Sequence, residues 1–257
     1  MKPVTAIASD GAERLAKGQA VTVLVPLYNG IEFLEECLTS VKEQFFTDWT
    51  CIVGVNGHGD DGGEVYTKAV SIVERLADPR FSVINLPGIK GAPDAINELV
   101  VRSKTEWVAH LDADDKWDSM KLHCQMRLIE GDKEGVLSVI GTFTLYFGDW
   151  GAPPGLSKNI KVPKGPSIPG EAIHPDMFKR FNPMIHSSIV IRKELAHYSN
   201  EFLGVYDYDC WCKLTLQGKR FFNIPLDLTW HRVYKQSAFN ASGLQRPELV
   251  RAKYFPV

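Results

Sequence analysis

Four short apolar runs, each leading into a polar turn and then an amphipathic stretch, dominate the first 111 residues and leave few folds open. Val21-Thr22-Val23-Leu24-Val25-Pro26-Leu27, Thr50-Cys51-Ile52-Val53-Gly54-Val55, Phe81-Ser82-Val83-Ile84-Asn85-Leu86 and Trp107-Val108-Ala109-His110-Leu111 have the length and β-rich composition of buried strands. After the first, Ile31, Leu34, Leu38, Val41 and Phe45 recur at helical spacing, opposite Glu32, Glu35, Glu36, Lys42 and Glu43. Asn29 stands where it would cap that helix. Further helices are expected from about Glu64 to Ala77 and from Pro93 to Val101, the latter with proline in its first turn. This alternation predicts an α/β domain with a mainly parallel, Rossmann-like central sheet flanked by helices, which binds ligands at the carboxyl ends of its strands. Three of those ends carry Tyr28-Asn29, Asn56-Gly57 and Asp112-Ala113-Asp114, and they would converge on one ligand.

Beyond residue 115 the pattern loosens. A helix is expected from about Ser119 to Ile129, a strand from Val136 to Phe147, a strand at His186 to Arg192, a helix containing Asp207 to Leu216 and a strand at Phe221 to Ile224. The Gly/Pro-rich segment Gly148 to Gly170, with His174 and His186, is expected to wall the acceptor side of a site. Residues 1–20 read as an extension, 21–235 as one domain and 236–257 as a tail.

Composition removes several classes of partner. A formal net charge of −2, with acids and bases interspersed, gives no field that would favour nucleic acid. The first twenty residues carry Asp10, Glu13, Arg14 and Lys17 and no apolar signal core, and no run reaches the roughly 20 apolar residues of a membrane span. Five cysteines make an odd set; Cys37 and Cys51 lie on apolar stripes, and Cys210 and Cys212 lack a second ligand pair for zinc. A reducing, cytoplasmic location is expected, peripheral to a membrane at most.

Asp112, Asp114 and Asp115 crowd three carboxylates at the end of an apolar strand, where mutual repulsion calls for a cation, strong donors or full solvation. If strand geometry persists, Asp112 and Asp114 share a side and suit a hard divalent ion completed by phosphate oxygens. By spacing alone the cluster is equally a solvated turn, with Asp115 capping a helix at Lys116-Trp117. An EF-hand does not fit, because Lys116 and Trp117 stand where an oxygen ligand and glycine are needed. There is no G-x-x-x-x-G-K-[ST] loop, no Rossmann glycine spacing in Asn56 to Gly63, and no G-x-S-x-G elbow.

Taken in order, longer matches become specific. Val21 to Asn29 resembles a V-S-V-I-I-P-x-Y-N strand, and Leu34, Cys37, Leu38, Ser40, Val41 and Gln44 fall on the L, C, L, S, V and Q of the helix after it. Gly91 to Asn97 with Trp107 to Asp115 resembles a G-x-x-x-A-R-N helix and a strand ending in D-A-D-D. His186-Ser187-Ser188 with Arg192-Lys193-Glu194 resembles H-S-S-x-x-x-R-K-E, and Tyr206 to Trp211 resembles E-D-Y-D-L-W. Together they resemble a family 2 glycosyltransferase, of GT-A fold and inverting chemistry, over about Val21 to Ser237.

That resemblance implies a nucleotide-sugar donor (UDP-sugar favoured), a glycan or other hydroxyl acceptor, and a divalent cation, Mn2+ or Mg2+. It implies Asp207 as catalytic base, Asp114 as metal ligand, and Pro26, Tyr28, Asn29, Asn56, Asn97, Asp112 and Ala113 around the nucleotide-sugar. Asp209, two positions from Asp207 on a helix, would point elsewhere. Departures from the family pattern are Val55-Asn56-Gly57-His58 for D-D-G-S, Ile96 for the Arg of A-R-N, Tyr206 for the Glu of the E-D pair, and Tyr234 for the His of R-x-H. His231, Arg232 and Lys90 are the candidates to meet the metal or diphosphate instead. Two other readings are a catalytically silent nucleotide- or glycan-binding module and a sugar-1-phosphate nucleotidyltransferase; the latter wants a Gly/Arg-rich loop where Tyr28-Asn29-Gly30 stands.

Overall fold

The computed structural model describes residues 20–148, 173–234 and 246–256. Its elements run β1 (Val21–Leu27), α1 (Leu34–Lys42), β2 (Trp49–Asn56), α2 (Gly63–Leu76), β3 (Phe81–Leu86), α3 (Ala92–Arg102), β4 (Trp107–His110) and β5 (Lys116–Trp117), then α4 (Lys121–Gly131), β6 (Leu137–Phe147), α5 (Pro175–Phe178), β7 (Val190–Arg192), α6 (Tyr206–Leu216), β8 (Arg220–Arg232) and α7 (Pro247–Tyr254). One sheet contains all eight strands in the order β3-β2-β1-β4-β7-β6-β8-β5. β3, β2, β1 and β4 are parallel neighbours, whereas β7 runs antiparallel to both β4 and β6, and β8 runs parallel to β6. The expected parallel sheet therefore describes the first half, and the second half is mixed.

The strand period of two explains the layering. Val21, Val23, Val25 and Leu27 of β1 join Leu34, Leu38 and Val41 of α1 and Ile72 of α2 on one face. Leu24 points the other way, with Ile96 and Leu99 of α3 and Trp211 of α6. Gly54 lets α3 lie close, because a Cβ there would stand 2.9 Å from Leu99. Pro26 is tolerated in a central strand because β4 stops pairing with β1 at Leu24↔His110, so no partner needs its missing N–H. Pro225 sits similarly where the β6–β8 register jumps from Thr142↔Ile224 to Phe143↔Asp227.

Several boundaries differ from those expected. Helix α1 starts at Leu34 with Phe33 as its uncapped entry residue, not at Asn29; Gly30, at φ +87°, spends residues 30–33 on a turn that returns Phe33 N–H to Gly30 O. Lys116-Trp117 is a strand paired with Thr229 and Trp230, not a helix capped by Asp115. The stretch Val190–Arg192 is a strand, but His186–Ser188 is a single 3-10 turn. The tail contains a helix, α7, whose Val250 is fully buried beside α6. Residues 1–19 and most of the segment Gly148 to Gly170 lie outside the described residues. Among the described residues, no helix is long and apolar enough to cross a membrane. Cys37 and Cys51 are buried free thiols, as their apolar settings predict, and Cys210 and Cys212 are buried free thiols too.

Candidate active site

β1 is the point where the sheet order turns, with β2 on one side and β4 on the other, and the crevice beyond its carboxyl end is where an α/β sheet binds ligands. There the turn after β4 does not keep strand geometry. Leu111 N–H still donates to Leu24 O, but Asp115 N–H folds back onto Asp112 O at 3.0 Å. Asp112 and Asp114 are therefore placed by a turn rather than by strand alternation. Three hydrogen bonds pin that turn: Asp112 N–H donates to Ser187 Oγ at 3.1 Å, Trp117 N–H to Ser40 Oγ, and the Trp117 indole N–H to Ser187 O at 2.8 Å.

The three carboxylates have different surroundings. Asp115 is completely buried; its Oδ2 meets His231 Nδ1 at 2.9 Å and its Oδ1 accepts Arg232 N–H at 2.7 Å. Burial would drive the His231 imidazole down, but Asp115, with Asp112 and Asp114, raises it to about 9. Asp112 is lowered against its burial by His186, His231 and the Ser187 hydroxyl. Asp114 is pushed up to about 7 by burial and by Asp115 and Asp112, the condition of a carboxylate short of positive charge. That donor chemistry fits a divalent cation at Asp114. No cluster of three or more His, Cys, Asp or Glu side chains among the described residues is arranged to hold one alone.

Arg232 proves to be a strut. Its Nε donates to Asp114 O at 2.8 Å, its guanidinium pairs with Glu36, and the rings of Phe33 and Phe147 lie 4.3 Å to either side. Lys116 meets the same Glu36 at 2.6 Å. Lys90 is exposed in the turn between β3 and α3.

On the β2 side, the Tyr28 ring is half exposed and packs 5.3 Å from the His58 ring, whose Nε2 lies 2.6 Å from Tyr28 O. Gly57, at φ +78°, is needed there because a Cβ would stand 3.0 Å from the Tyr28 ring. Asn56 is buried with its Nδ2 unpartnered, and Asn29 is exposed beside Tyr28. Pro26 and the buried Ala113 complete the strand ends. Asn97 departs from its expected place in the donor pocket: its amide is spent on both backbone groups of Tyr198, at 2.8 and 2.9 Å.

Asp207 lies in the first turn of α6 and accepts a 2.7 Å hydrogen bond from Asn182 Nδ2. Burial raises its carboxyl and Asp112 adds to the rise, while His186, Tyr208 N–H and Asn182 oppose it. Asp207 and Asp112 thus act on each other although 95 positions separate them. Asp209 points away, as helical spacing predicts, toward Lys253 of α7 at 3.4 Å. Tyr206, in place of the family's Glu, is a phenol raised well above its usual range by burial and by Asp112, Asp207 and Asp114. Trp211 is fully buried packing. Of the two histidines expected to wall the acceptor side, His174 caps the four-residue α5 and is exposed, whereas His186 is buried beside Asp112. Asn182 and Glu36 carry no sequence signal; only tertiary proximity identifies them.

A family model described as Glycosyl transferase family 2 matches residues 22–198. The UDP-Glc:alpha-D-GlcNAc-diphosphoundecaprenol beta-1,3-glucosyltransferase WfaP of Escherichia coli is 23% identical over 91% of this chain and 84% of its own length. The putative teichuronic acid biosynthesis glycosyltransferase TuaG of Bacillus subtilis is 32% identical over 42% of this chain and 41% of its own. S. aureus TarS 1-349 in complex with UDP-GlcNAc matches in structure with a TM-score of 0.65 at 17% identity, covering 87% of this chain and 61% of that one. The mannosyltransferase PcManGT from Pyrobaculum calidifontis, in complex with GDP-Man and Mn2+, gives 0.60 at 18% identity, covering 88% and 64%. The chain thus spans less than two thirds of those solved chains. The fold is the GT-A type, and this chain is a glycosyltransferase belonging to glycosyl transferase family 2.

Proposed function

We propose that the protein transfers a monosaccharide from a nucleoside-diphosphate sugar to a saccharide or other hydroxyl acceptor, with inversion, using Asp207 as general base. The observation that carries this reading is the place of Asp207: a buried carboxyl in the first turn of α6, held by Asn182 at 2.7 Å and raised chiefly by burial, with the repulsion of Asp112 adding to the rise. A carboxyl raised by burial is a better proton acceptor than one fully solvated, so Asp207 would take the acceptor hydroxyl proton as that oxygen bonds to the anomeric carbon. The bond from that carbon to the diphosphate breaks on the opposite face, and the electron pair leaves with the diphosphate. Asn182 would keep Asp207 oriented.

Tyr28, Gly57 and His58 would wall the base, the unpartnered Asn56 amide would face it, and Asp112 would approach the ribose. Asp114 would hold a divalent cation, Mn2+ or Mg2+, with phosphate oxygens filling the remaining positions; such an ion supplies positive charge to the leaving diphosphate. His231 and Arg232, tied to Asp115, Asp114 and Glu36, would hold the acidic turn in place rather than reach the diphosphate. A UDP-sugar donor is supported by the name of WfaP and by the ligand of TarS, and a saccharide acceptor carried on a diphosphoundecaprenol lipid by the name of WfaP.

Incubating the protein with a panel of nucleotide-sugars, with and without Mn2+, identifies the donor by thermal stabilisation and by released nucleoside diphosphate. Asp207→Asn should lower kcat about 10²–10⁴-fold with nucleotide binding retained. Intact transfer by that variant would remove the base assignment. No nucleotide binding by the wild type would favour the silent-module alternative.

A further inference from the structure

We infer that His186 is a positioning residue for the transfer, its imidazole holding the donor-side carboxylate Asp112 in register with α6, the helix that carries Asp207. This rests on the roles proposed above for those two carboxylates. His186 is buried, and its Nδ1 lies 3.8 Å from Asp112 Oδ1. Neither ring nitrogen has a hydrogen-bond partner among the described residues. Leaving a buried polar atom unsatisfied costs about 1–3 kcal/mol, so phenylalanine would serve better if the ring were only filling space.

The ring is held in one attitude. It stacks on His110 at 4.4 Å, and Tyr198 and Tyr206 meet it edge-on at 5.2 and 5.4 Å. Its backbone turn is equally fixed: Ser187 Oγ and O hold Asp112 and Trp117, and Ser188 O accepts Gln125 Nε2 at 2.9 Å. The ionisable groups around it are His110 from β4, Asp112 from the acidic turn, Tyr198 from the loop before α6, and Tyr206 and Asp207 from α6; Lys121 of α4 lies behind His110. Against burial, His186 exerts the largest opposing influence on both Asp112 and Asp207. Tyr198 and Tyr206 also lie near both carboxylates, but burial and those carboxylates hold both phenols protonated, so neither brings positive charge. A 3.8 Å separation is too long for a direct hydrogen bond, and closes to one, or is bridged by a single water, when the donor fills the site.

The experiment compares His186→Phe, which keeps the stacking, with His186→Gln, which keeps hydrogen-bonding capacity. Transfer kinetics are measured together with calorimetric nucleotide-sugar affinity, alone and in an Asp112→Asn background. His186→Phe should lower kcat about 10–100-fold, the usual effect of losing a group that orients a site residue, and His186→Gln should recover several-fold of that loss. In the Asp112→Asn background, His186→Phe should add little to the loss of donor affinity. Equal kinetics for the Phe and Gln variants, or fully independent effects of His186→Phe and Asp112→Asn on affinity, would overturn the inference. Should His186→Phe fail to fold, the affinity cycle is run with His186→Gln under the same criterion. Activity of Asp207→Asn reports on the base assignment alone, whereas the Asp112 cycle reads His186 without it.

Discussion

The half of the sheet formed by β3-β2-β1-β4 and the half formed by β7-β6-β8-β5 are built by different means. In the first, α1 and α2 each return the chain to a parallel neighbour, and α3 then carries it back across the sheet to set β4 beside β1, Trp107 opposite Val21, in one unbroken register. In the second, β6 pairs with β8 about eighty positions later, through several register shifts, and β5 is a two-residue strand held by the end of β8. The first half offers a crevice and the Tyr28 wall. The second sends back the cations that the acidic turn lacks: His231 reaches Asp115 and Arg232 reaches the Asp114 carbonyl. Donor geometry thus depends on the half that sequence periodicity describes least.

Adjacent carboxylates test that division most sharply. Asp115→Ala would take from the buried His231 imidazole and the Arg232 N–H the carboxylate they share, and should cost about 3–5 kcal/mol, read as a fall in the urea midpoint. Asp114→Asn should leave that midpoint nearly unchanged while lowering kcat/KM about 10²–10³-fold. Equal stability losses for the two variants would erase the distinction between a carboxylate that binds β8 and one that faces ligand. A smaller effect is expected where the C-terminal helix meets α6. Lys253→Met strips the buried Asp209 of its cation and should cost about 1–3 kcal/mol, seen as a lower Tm.

The smallest effect has the opposite sign. Lys121 is completely buried; its ammonium donates to Gln125 Oε1 at 2.9 Å and lies 3.8 Å from the Trp117 ring, and burial drives its pKa well below 10.5. The folded state therefore holds this proton less tightly than the unfolded chain, and the wild type gains stability as pH rises toward 10.5. Lys121→Met should be more stable at neutral pH, on the order of 1 kcal/mol, with the advantage fading near pH 10.5. His110, held well below 6.5 by burial and by His186 and Lys121, acts in the same direction. It is neutral in the fold, so its contribution is complete above pH 6.5 and is lost as pH falls below that. Urea midpoints from pH 5 to 8 should drop on the acid side, and less so for His110→Phe.

Much of the site was legible in the residues. Tyr28, Asn56, Asp112 and Asp114 all lie at the strand ends where the alternation of runs placed them, and Asp207 and Asp209 diverge as helical spacing requires. Asn97 misled because its amide looks the same whether it faces a ligand or, as here, closes on the Tyr198 backbone 101 positions away. Asn29 misled because Gly30 turns the chain before the helix can start. Asn182 gave no sign, since one amide in a loop has no periodicity to announce it.

By itself the sequence determined the α/β class, the family, the four parallel strands and the chemical types gathered at their ends, because apolar period and turn residues act over a few positions. Tertiary structure decided what surrounds each carboxylate. Asp112, Asp114 and Asp115 are one residue type in one short stretch; the arrival of His186 beside Asp112 and of the β8 pair His231 and Arg232 around Asp115 makes them different groups. Such differences arise from burial and from charges brought close by long-range packing, and neither is encoded in local spacing.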